Sequence, residues 1–194
     1  MDTLEQIEQY AKENYIPIAR KQTVQFLVNL IKENNFKSFL EIGTAIGYTS
    51  LILATTFQDL SILTIEHNEK RAKLAKELFI KFNVDKKIDF KVEDAVSFET
   101  EKHFDLIFID AAKKKNSLFL DKFSQNLNKD GIIIVDNMNM DDFNQMAKEK
   151  KQIYYEKVNN EFKSYVFNSN KYNATLYDDI GDGIMVIKLI NKLI

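Results

Sequence analysis

Apolar positions recur along this chain in two rhythms. In residues 2–14 charged and apolar residues alternate at helical spacing, with Leu4, Ile7 and Ala11 on one side. Pro17 breaks the pattern within Tyr15-Ile-Pro-Ile18, because proline ends helices and holds the residue before it extended. A second helix is expected over residues 22–33, with Val24, Leu27, Val28 and Ile31 on its apolar stripe. Continuous apolar runs then take turns with amphipathic ones. Residues 36–42, 60–66, 88–92, 104–110 and 131–136 read as strands, and residues 48–56, 69–83 and 118–127 as helices between them. Continuous runs of this kind suit a parallel sheet covered by helices on both faces. Residues 141–168 are polar, lysine-rich and helical in pattern. Two further strand-like pieces, 174–177 and 184–190, flank Gly181-Asp-Gly183, a turn that can close a hairpin, so the sheet is expected to gain an antiparallel edge. No repeat, low-complexity linker or domain boundary divides residues 1–194, so one domain is expected.

Composition narrows the chemistry. With 45% hydrophobic residues, 27 Lys and Arg and 29 Asp and Glu, this is an ordinary globular chain with mixed charge. The slight negative balance argues against a surface coated in basic residues but permits a local basic patch for nucleic acid. The chain has no cysteine, which excludes disulfides, thiolate metal sites and cysteine nucleophiles. Charge begins at Asp2, no apolar signal core follows, and no apolar run is long enough to span a bilayer, so a cytoplasmic location is expected. Abundant Lys, Asn and Ile look like AT-rich codon usage, which lowers the weight of any lysine run.

The chain is organised around Phe39-Leu-Glu-Ile-Gly-Thr-Ala-Ile-Gly-Tyr-Thr49. A buried strand enters, a tight turn follows and a helix N-terminus leaves, which is a cradle for a nucleotide-like ligand. Gly43 allows a sharp turn and a close ligand approach, since no Cβ intrudes. The spacing lacks the third glycine of the dinucleotide fingerprint, and Glu41 precedes the turn, so a different adenosine-bearing ligand is favoured. A purely structural strand-to-helix turn is the alternative. Glu66 ends the second strand, where it could accept hydrogen bonds from two ribose hydroxyls or simply face the next helix dipole. Asp94-Ala95 follows the third strand, where an adenine amino group could be met. His67 is next to Glu66 and could touch the same adenine; His103 sits in a polar turn and reads as exposed.

Asp110 and Asp136-Asn137 close the fourth and fifth strands. Were those strands neighbours, their ends would lie about 4.8 Å apart and face the crevice where ligands bind. Two carboxylates and an amide oxygen suit Mg²⁺, Mn²⁺ or Ca²⁺ rather than zinc. The alternatives are a helix cap at Asp110 and an Asp-Asn turn. Lys113, one turn past Asp110, could act as a base if its pKa were lowered. Lys114 and Lys115 read as a solvated helix start.

Together these residues resemble the class I S-adenosylmethionine-dependent O-methyltransferases, in the metal-dependent catechol and caffeoyl-CoA branch, over nearly the whole chain. Within that branch the sequence is similar to bacterial tRNA 5-hydroxyuridine methyltransferases. The likeness rests on Ile16-Pro-Ile18, Leu40-Glu-Ile-Gly-Thr-Ala-Ile-Gly-Tyr48, Ile65-Glu66 with Asn68-Glu-Lys-Arg71, Phe108-Ile-Asp-Ala-Ala-Lys113, Asp136-Asn137 and Gly181-Asp-Gly183. The resemblance implies a Rossmann-like class I methyltransferase fold with a seven-stranded, mostly parallel sheet and an antiparallel C-terminal hairpin. It implies that residues 1–35 cover the cofactor site. It implies that Ile18, Ala19 and Thr49 hold the methionine part of S-adenosylmethionine, that Gly43 and Tyr48 frame it, that Glu66 binds the ribose, and that Asp94, Ala95 and His67 meet the adenine. Asp110 would touch cofactor and metal, Asp136 and Asn137 would complete a set for Mg²⁺, and Lys113 would be the base. A homodimer is implied by the family as well.

The acceptor is the open choice. 5-Hydroxyuridine at the tRNA wobble position presents a hydroxyl beside a carbonyl oxygen, and a catechol or caffeoyl-CoA presents a comparable pair. For tRNA, Arg20, Lys21, Lys114, Lys115 and the lysines from Lys148 to Lys151 are the candidate phosphate contacts. A non-catalytic nucleotide- or RNA-binding module is the third reading. The run Met138-Asn-Met-Asp-Asp142 departs from the family pattern and lies where an acceptor would be chosen.

Overall fold

The central apolar runs become strands because each is buried on both sides, while residues 88–91 form a strand that is only partly buried. The computed structural model describes residues 1–139 and 149–190. Its helices are α1 (Leu4–Glu13), α2 (Lys21–Asn34), α3 (Tyr48–Thr56), α4 (Glu69–Lys81), α5 (Asn116–Phe123) and α6 (Glu149–Phe167). Its strands are β1 (Ser38–Ile42), β2 (Ser61–Ile65), β3 (Ile88–Lys91), β4 (Phe104–Ile109), β5 (Leu127–Asp136), β6 (Tyr172–Tyr177) and β7 (Ile184–Leu189). They form one seven-stranded sheet in the order β3-β2-β1-β4-β5-β7-β6. The first five in that order run parallel, and β7 joins β5 antiparallel before turning to β6.

Alternate residues of each strand feed two cores. Phe39, Ile62, Leu106, Phe108, Ile132 and Ile134 point to the layer built by α1 to α4. Leu40, Leu63, Ile107, Ile109, Ile133 and Val135 point to the layer built by α5 and α6, where Phe119, Phe123, Phe162 and Val166 meet them. Full burial of one such side chain stabilises by roughly 1.5–3 kcal/mol. The amphipathic N-terminal stretch becomes α1, with Ile7 and Ala11 buried and the hydroxyl of Thr3 accepting from the Gln6 amide as its cap.

Element boundaries depart from the pattern at one place for a clear reason. The expected helix over residues 118–127 starts earlier and stops at Phe123, passing through a 3-10 turn, Ser124–Asn126, into β5. That strand begins at Leu127, four residues before the apolar run, because Leu127 pairs with Phe104 across a register shift. Asp105 ties this corner down by accepting from the Asn128 side chain at 2.7 Å and from the Lys37 and Ser38 amides at 2.7 and 3.0 Å. Of the lysine-rich stretch expected over residues 141–168, residues 141–148 lie outside the described residues, as does Met140 before them.

Candidate functional site

Strand register places the candidate residues in one row. Ile65 pairs with Ile42, Ile42 with Ile109, and Ile109 with Val135. The residues that follow, Glu66, Gly43, Asp110 and Asp136, therefore stand level at the carboxyl ends of β2, β1, β4 and β5. Asp136 in turn pairs with Ile184 of β7, which brings the turn Gly181-Asp-Gly183 to the end of the row. Carboxyl ends of parallel strands are where an open α/β sheet binds its ligands.

The turn after β1 is built for close approach. Gly43 has φ +102°, and a Cβ there would sit 2.3 Å from the Asp110 carbonyl oxygen. Gly47, with φ +87°, packs against the Phe79 ring, which a Cβ would meet at 2.6 Å. Helix α3 then starts with no side-chain cap and no acid in its first turn, so its first N–H groups face the row without a capping side chain. Buried Glu66 accepts from the Ala45 amide at 2.9 Å through Oε2 and from the Asn68 amide at 2.8 Å through Oε1. These bonds fix its carboxylate at the crevice and leave each oxygen a further lone pair for a hydroxyl donor. Glu41 is wholly buried beneath the turn. Its Oε2 accepts from the hydroxyls of Ser50 and Thr64, each at 2.6 Å, and desolvation still pushes its pKa up to about 7.

Acidic oxygens gather at the other end of the row. Asp136 is 2% exposed; its Oδ1 accepts from the Asn137 amide at 2.8 Å, and its Oδ2 has no partner among the described residues. Burial raises the pKa of Asp136, and the charge of Asp110 raises it further. Asp110 is raised by desolvation against the pull of Lys113, with Asp182 adding repulsion. Lys113 lies in the 3-10 turn Lys113–Lys115 after β4 and donates to Asn137 Oδ1 at 2.5 Å. Desolvation lowers its pKa, while Asp110, Asp136 and Asp182 oppose that shift. The donor set fits a hard divalent cation: two carboxylates and an amide oxygen, one carboxylate oxygen buried without a partner, and two acids whose charges repel. Among the described residues no three His, Asp or Glu side chains form such a group, so a set here would have to draw on the amide oxygen of Asn137.

The N-terminal segment spans the rim of the crevice and is latched at two points. Buried Tyr48 donates its hydroxyl to Glu8 Oε1 at 2.6 Å, and Lys21 pairs with the same carboxylate at 2.8 Å. Arg20 Nε donates to both oxygens of Asp182 at 3.0 Å. Ala19 is buried and Ile18 partly so, between these latches.

Other expected residues are placed less centrally. Thr49 and Ala95 are buried, whereas the His67 ring is 72% exposed, with Nδ1 3.5 Å from Glu66. Asp94 accepts from the Val96 amide at 2.9 Å and pairs with Lys115 at 3.4 Å. Lys114 is exposed and Lys115 partly so, in keeping with a solvated start, yet both make contacts. Lys115 pairs with Asp94, and the Lys114 ammonium lies 4.8 Å from the ring centre of Tyr154 on α6. Arg20 and Lys21, expected as phosphate contacts, are engaged with Asp182 and Glu8. The sequence reading gave no role to Glu8, Asn159 or the side chain of Asp182. For Asp182 the signal was present in the turn that leads into β7; for Asn159 there was none.

Comparison with known proteins follows from this geometry. The family model described as O-methyltransferase matches residues 1–190. A caffeoyl-CoA O-methyltransferase of Medicago sativa is 36% identical over 98 residues, covering 46% of this chain and 40% of that protein. The chain spans 64% and 51% of the length of the first two curated relatives it matches. A Staphylococcus aureus structure, described provisionally as a caffeoyl-CoA O-methyltransferase, superposes with TM-score 0.86 at 26% identity, covering 98% of this chain and 93% of that one. A Podospora anserina methyltransferase bound to SAH superposes with TM-score 0.82 at 20% identity, covering 98% of this chain and 89% of that one.

Proposed function

We infer the reaction from one premise: this chain belongs to the O-methyltransferase family. It transfers a methyl group from S-adenosylmethionine to a hydroxyl oxygen, with a divalent cation at Asp110, Asp136 and Asn137, and its acceptor is 5-hydroxyuridine at the wobble position of tRNA. The observation that carries this reading is the row Glu66, Gly43, Asp110 and Asp136. Its first half suits a nucleoside and its second half an oxygen pair. The SAH found in the Podospora relative supports the methyl donor.

The residues divide the work along the row. Glu66 takes the ribose hydroxyls. The open turn at Gly43 lets the methionine part lie against the backbone. Ile18, Ala19 and Thr49 close over it, and Asp94 and Ala95 border the adenine. A cation held by Asp110, Asp136 and Asn137 would favour the ionised form of the acceptor hydroxyl and fix two adjacent acceptor oxygens. Lys113, whose pKa burial lowers against the pull of three carboxylates, takes the hydroxyl proton on Nζ. The acceptor oxygen then attacks the methyl carbon in line with sulfur. The new C–O bond forms as the C–S bond breaks, and the electron pair leaves on sulfur as the neutral thioether. Holding nucleophile and methyl in line supplies up to about 7–11 kcal/mol of barrier reduction.

The wobble uridine is favoured by the sequence wording Thr44-Ala-Ile-Gly-Tyr48 and Ile16-Pro-Ile18. A catechol- or caffeoyl-CoA-type acceptor is the second reading, favoured by the Medicago relative. A non-catalytic nucleotide- or RNA-binding module does not need Lys113 beside buried Asp136 and half-buried Asp110. The test gives the purified chain labelled S-adenosylmethionine and Mg²⁺ with tRNA carrying 5-hydroxyuridine, a catechol or caffeoyl-CoA. Label in tRNA alone supports the wobble reading. Label only in a small phenol sinks it, and no label in any acceptor sinks the enzyme reading.

A further inference from the structure

We propose that Asn159, on the buried face of α6, is a positioning residue that sets the metal-binding geometry of Asn137. This inference rests on the divalent-cation reading above. Asn137 is the weakest of the three presumptive ligands, being a neutral amide, so its aim depends on backbone geometry rather than charge. Its backbone is left-handed, with φ +61°, a conformation that asparagine tolerates but does not require. Something must hold that turn.

Three sets of bonds do so. The Asn137 amide donates back to Asp136 Oδ1 at 2.8 Å. The next two amides, of Met138 and Asn139, donate to the carbonyls of Gly183 and Asp182 at 2.8 and 2.7 Å. The third comes from α6. Asn159 Nδ2 donates to the Asn137 carbonyl at 3.0 Å and to the Met138 carbonyl at 3.3 Å. Asn159 is 2% exposed, a buried polar residue on the helix whose Phe162 and Val166 enter the core. A single amide thus gathers two successive carbonyls, and a buried carbonyl left unpaired costs about 1–3 kcal/mol. Its own Oδ1 has no partner among the described residues. Because Lys113 also contacts Asn137 Oδ1, the same clamp fixes the base against the ligand.

Partners of this kind, bonded to a ligand rather than to the ion, typically tune affinity by 10–100-fold. The test measures free Mn²⁺ by electron paramagnetic resonance during titration of the full chain, without cofactor. Asn159→Asp keeps the size but turns donors into oxygens facing carbonyls, and it is expected to weaken Mn²⁺ binding by about 10–100-fold. Asn159→Ala is expected to weaken it less, and Asn159→Ser, which keeps one donor, least. Val166→Ala, at a buried core position two turns further along the same helix face, is the control: it lowers the melting temperature and leaves Mn²⁺ affinity unchanged. Under saturating Mn²⁺ the Asn159 variants recover most of their kcat, whereas KM for the methyl donor stays put. If wild type and the folded Asn159 variants bind Mn²⁺ equally, the positioning role is overturned alone. If the wild type binds no Mn²⁺, the cation reading falls and this inference falls with it.

Discussion

Asp110 and Asp136 stand side by side because Ile109 pairs with Val135 one residue earlier on neighbouring parallel strands. The two carboxylates are thus set by strand register, not by a flexible loop. Burial raises both pKa values, and Asp110 raises Asp136 further. Such a pair is unfavourable without a counter-charge. Asp136→Asn removes one charge at nearly constant shape and keeps an acceptor for the Asn137 amide. It is expected to leave the melting temperature unchanged or higher, while methyl transfer falls by about 100-fold or more. Melting and single-turnover rates on the same preparation check this. A variant that melts early and keeps full activity would mean that Asp136 is structural.

Glu41 makes stability depend on pH in a particular direction. Its ordinary pKa is 4.5 and burial lifts it to about 7 in the fold. The folded state therefore binds more protons than the unfolded one between those values. Stability from this group is full below pH 4.5, declines as pH rises to 7, and is flat above. The loss amounts to about 3 kcal/mol at 1.36 kcal/mol per pKa unit. Glu41→Gln is expected to flatten the wild-type slope between pH 5 and 7 in urea unfolding, while Ser50 and Thr64 keep an acceptor. An unchanged slope in the variant would show that Glu41 stays ionised in the fold.

Much of this architecture was written in the sequence, and the reason is geometric. Parallel strands buried on both faces must be apolar throughout, so 104–110 and 131–136 announce themselves. Functional side chains sit where those runs end, and register then brings the ends level. What escaped the sequence depends on partners far along the chain. Arg20 meets Asp182 across 162 positions, and Tyr48 meets Glu8 across 40. Nothing in the local pattern of α1 or the Gly-Asp-Gly turn encodes those contacts. Asn159 is one amide among many polar residues of α6, told apart only by its burial. The lysine triplet looked uniform, yet a 3-10 turn sends its three side chains to Asn137, Tyr154 and Asp94.

Lys113 predicts the pH dependence of the rate. As a base it works only when neutral, so the rate should climb with pH toward its pKa and level off above. Desolvation brings that pKa below the usual lysine range. Lys113→Met is expected to lower kcat by about 10²–10⁴-fold and to remove the rising limb. Binding of S-adenosylhomocysteine, followed by calorimetry, should be little changed, since Lys113 lies on the Asn137 side of the row. A rising limb that survives in the methionine variant would assign the proton to another group.

The turn after β1 offers a contrast within two residues. Gly43 and Ala45 both have positive φ, +102° and +47°. A Cβ on Gly43 would lie 2.3 Å from the backbone oxygen of Asp110, and backbone cannot swing aside as a side chain can. Gly43→Ala must therefore push β1 and β4 apart at their ends, shifting Asp110 itself. It is expected to cost at least about 1–3 kcal/mol in stability from strain alone. S-adenosylhomocysteine and Mn²⁺ affinities should fall together, because one displacement moves both halves of the row. Ala45→Gly changes the same turn in the opposite sense. It relieves a left-handed alanine at some cost in unfolded-state entropy, so stability should shift by no more than about 1 kcal/mol. The Ala45 amide still donates to Glu66, so cofactor affinity should hold. Paired urea unfolding and calorimetry on the two variants decide the matter. Equal behaviour of the two would mean that the turn tolerates a Cβ at Gly43 and that Asp110 is not positioned through it.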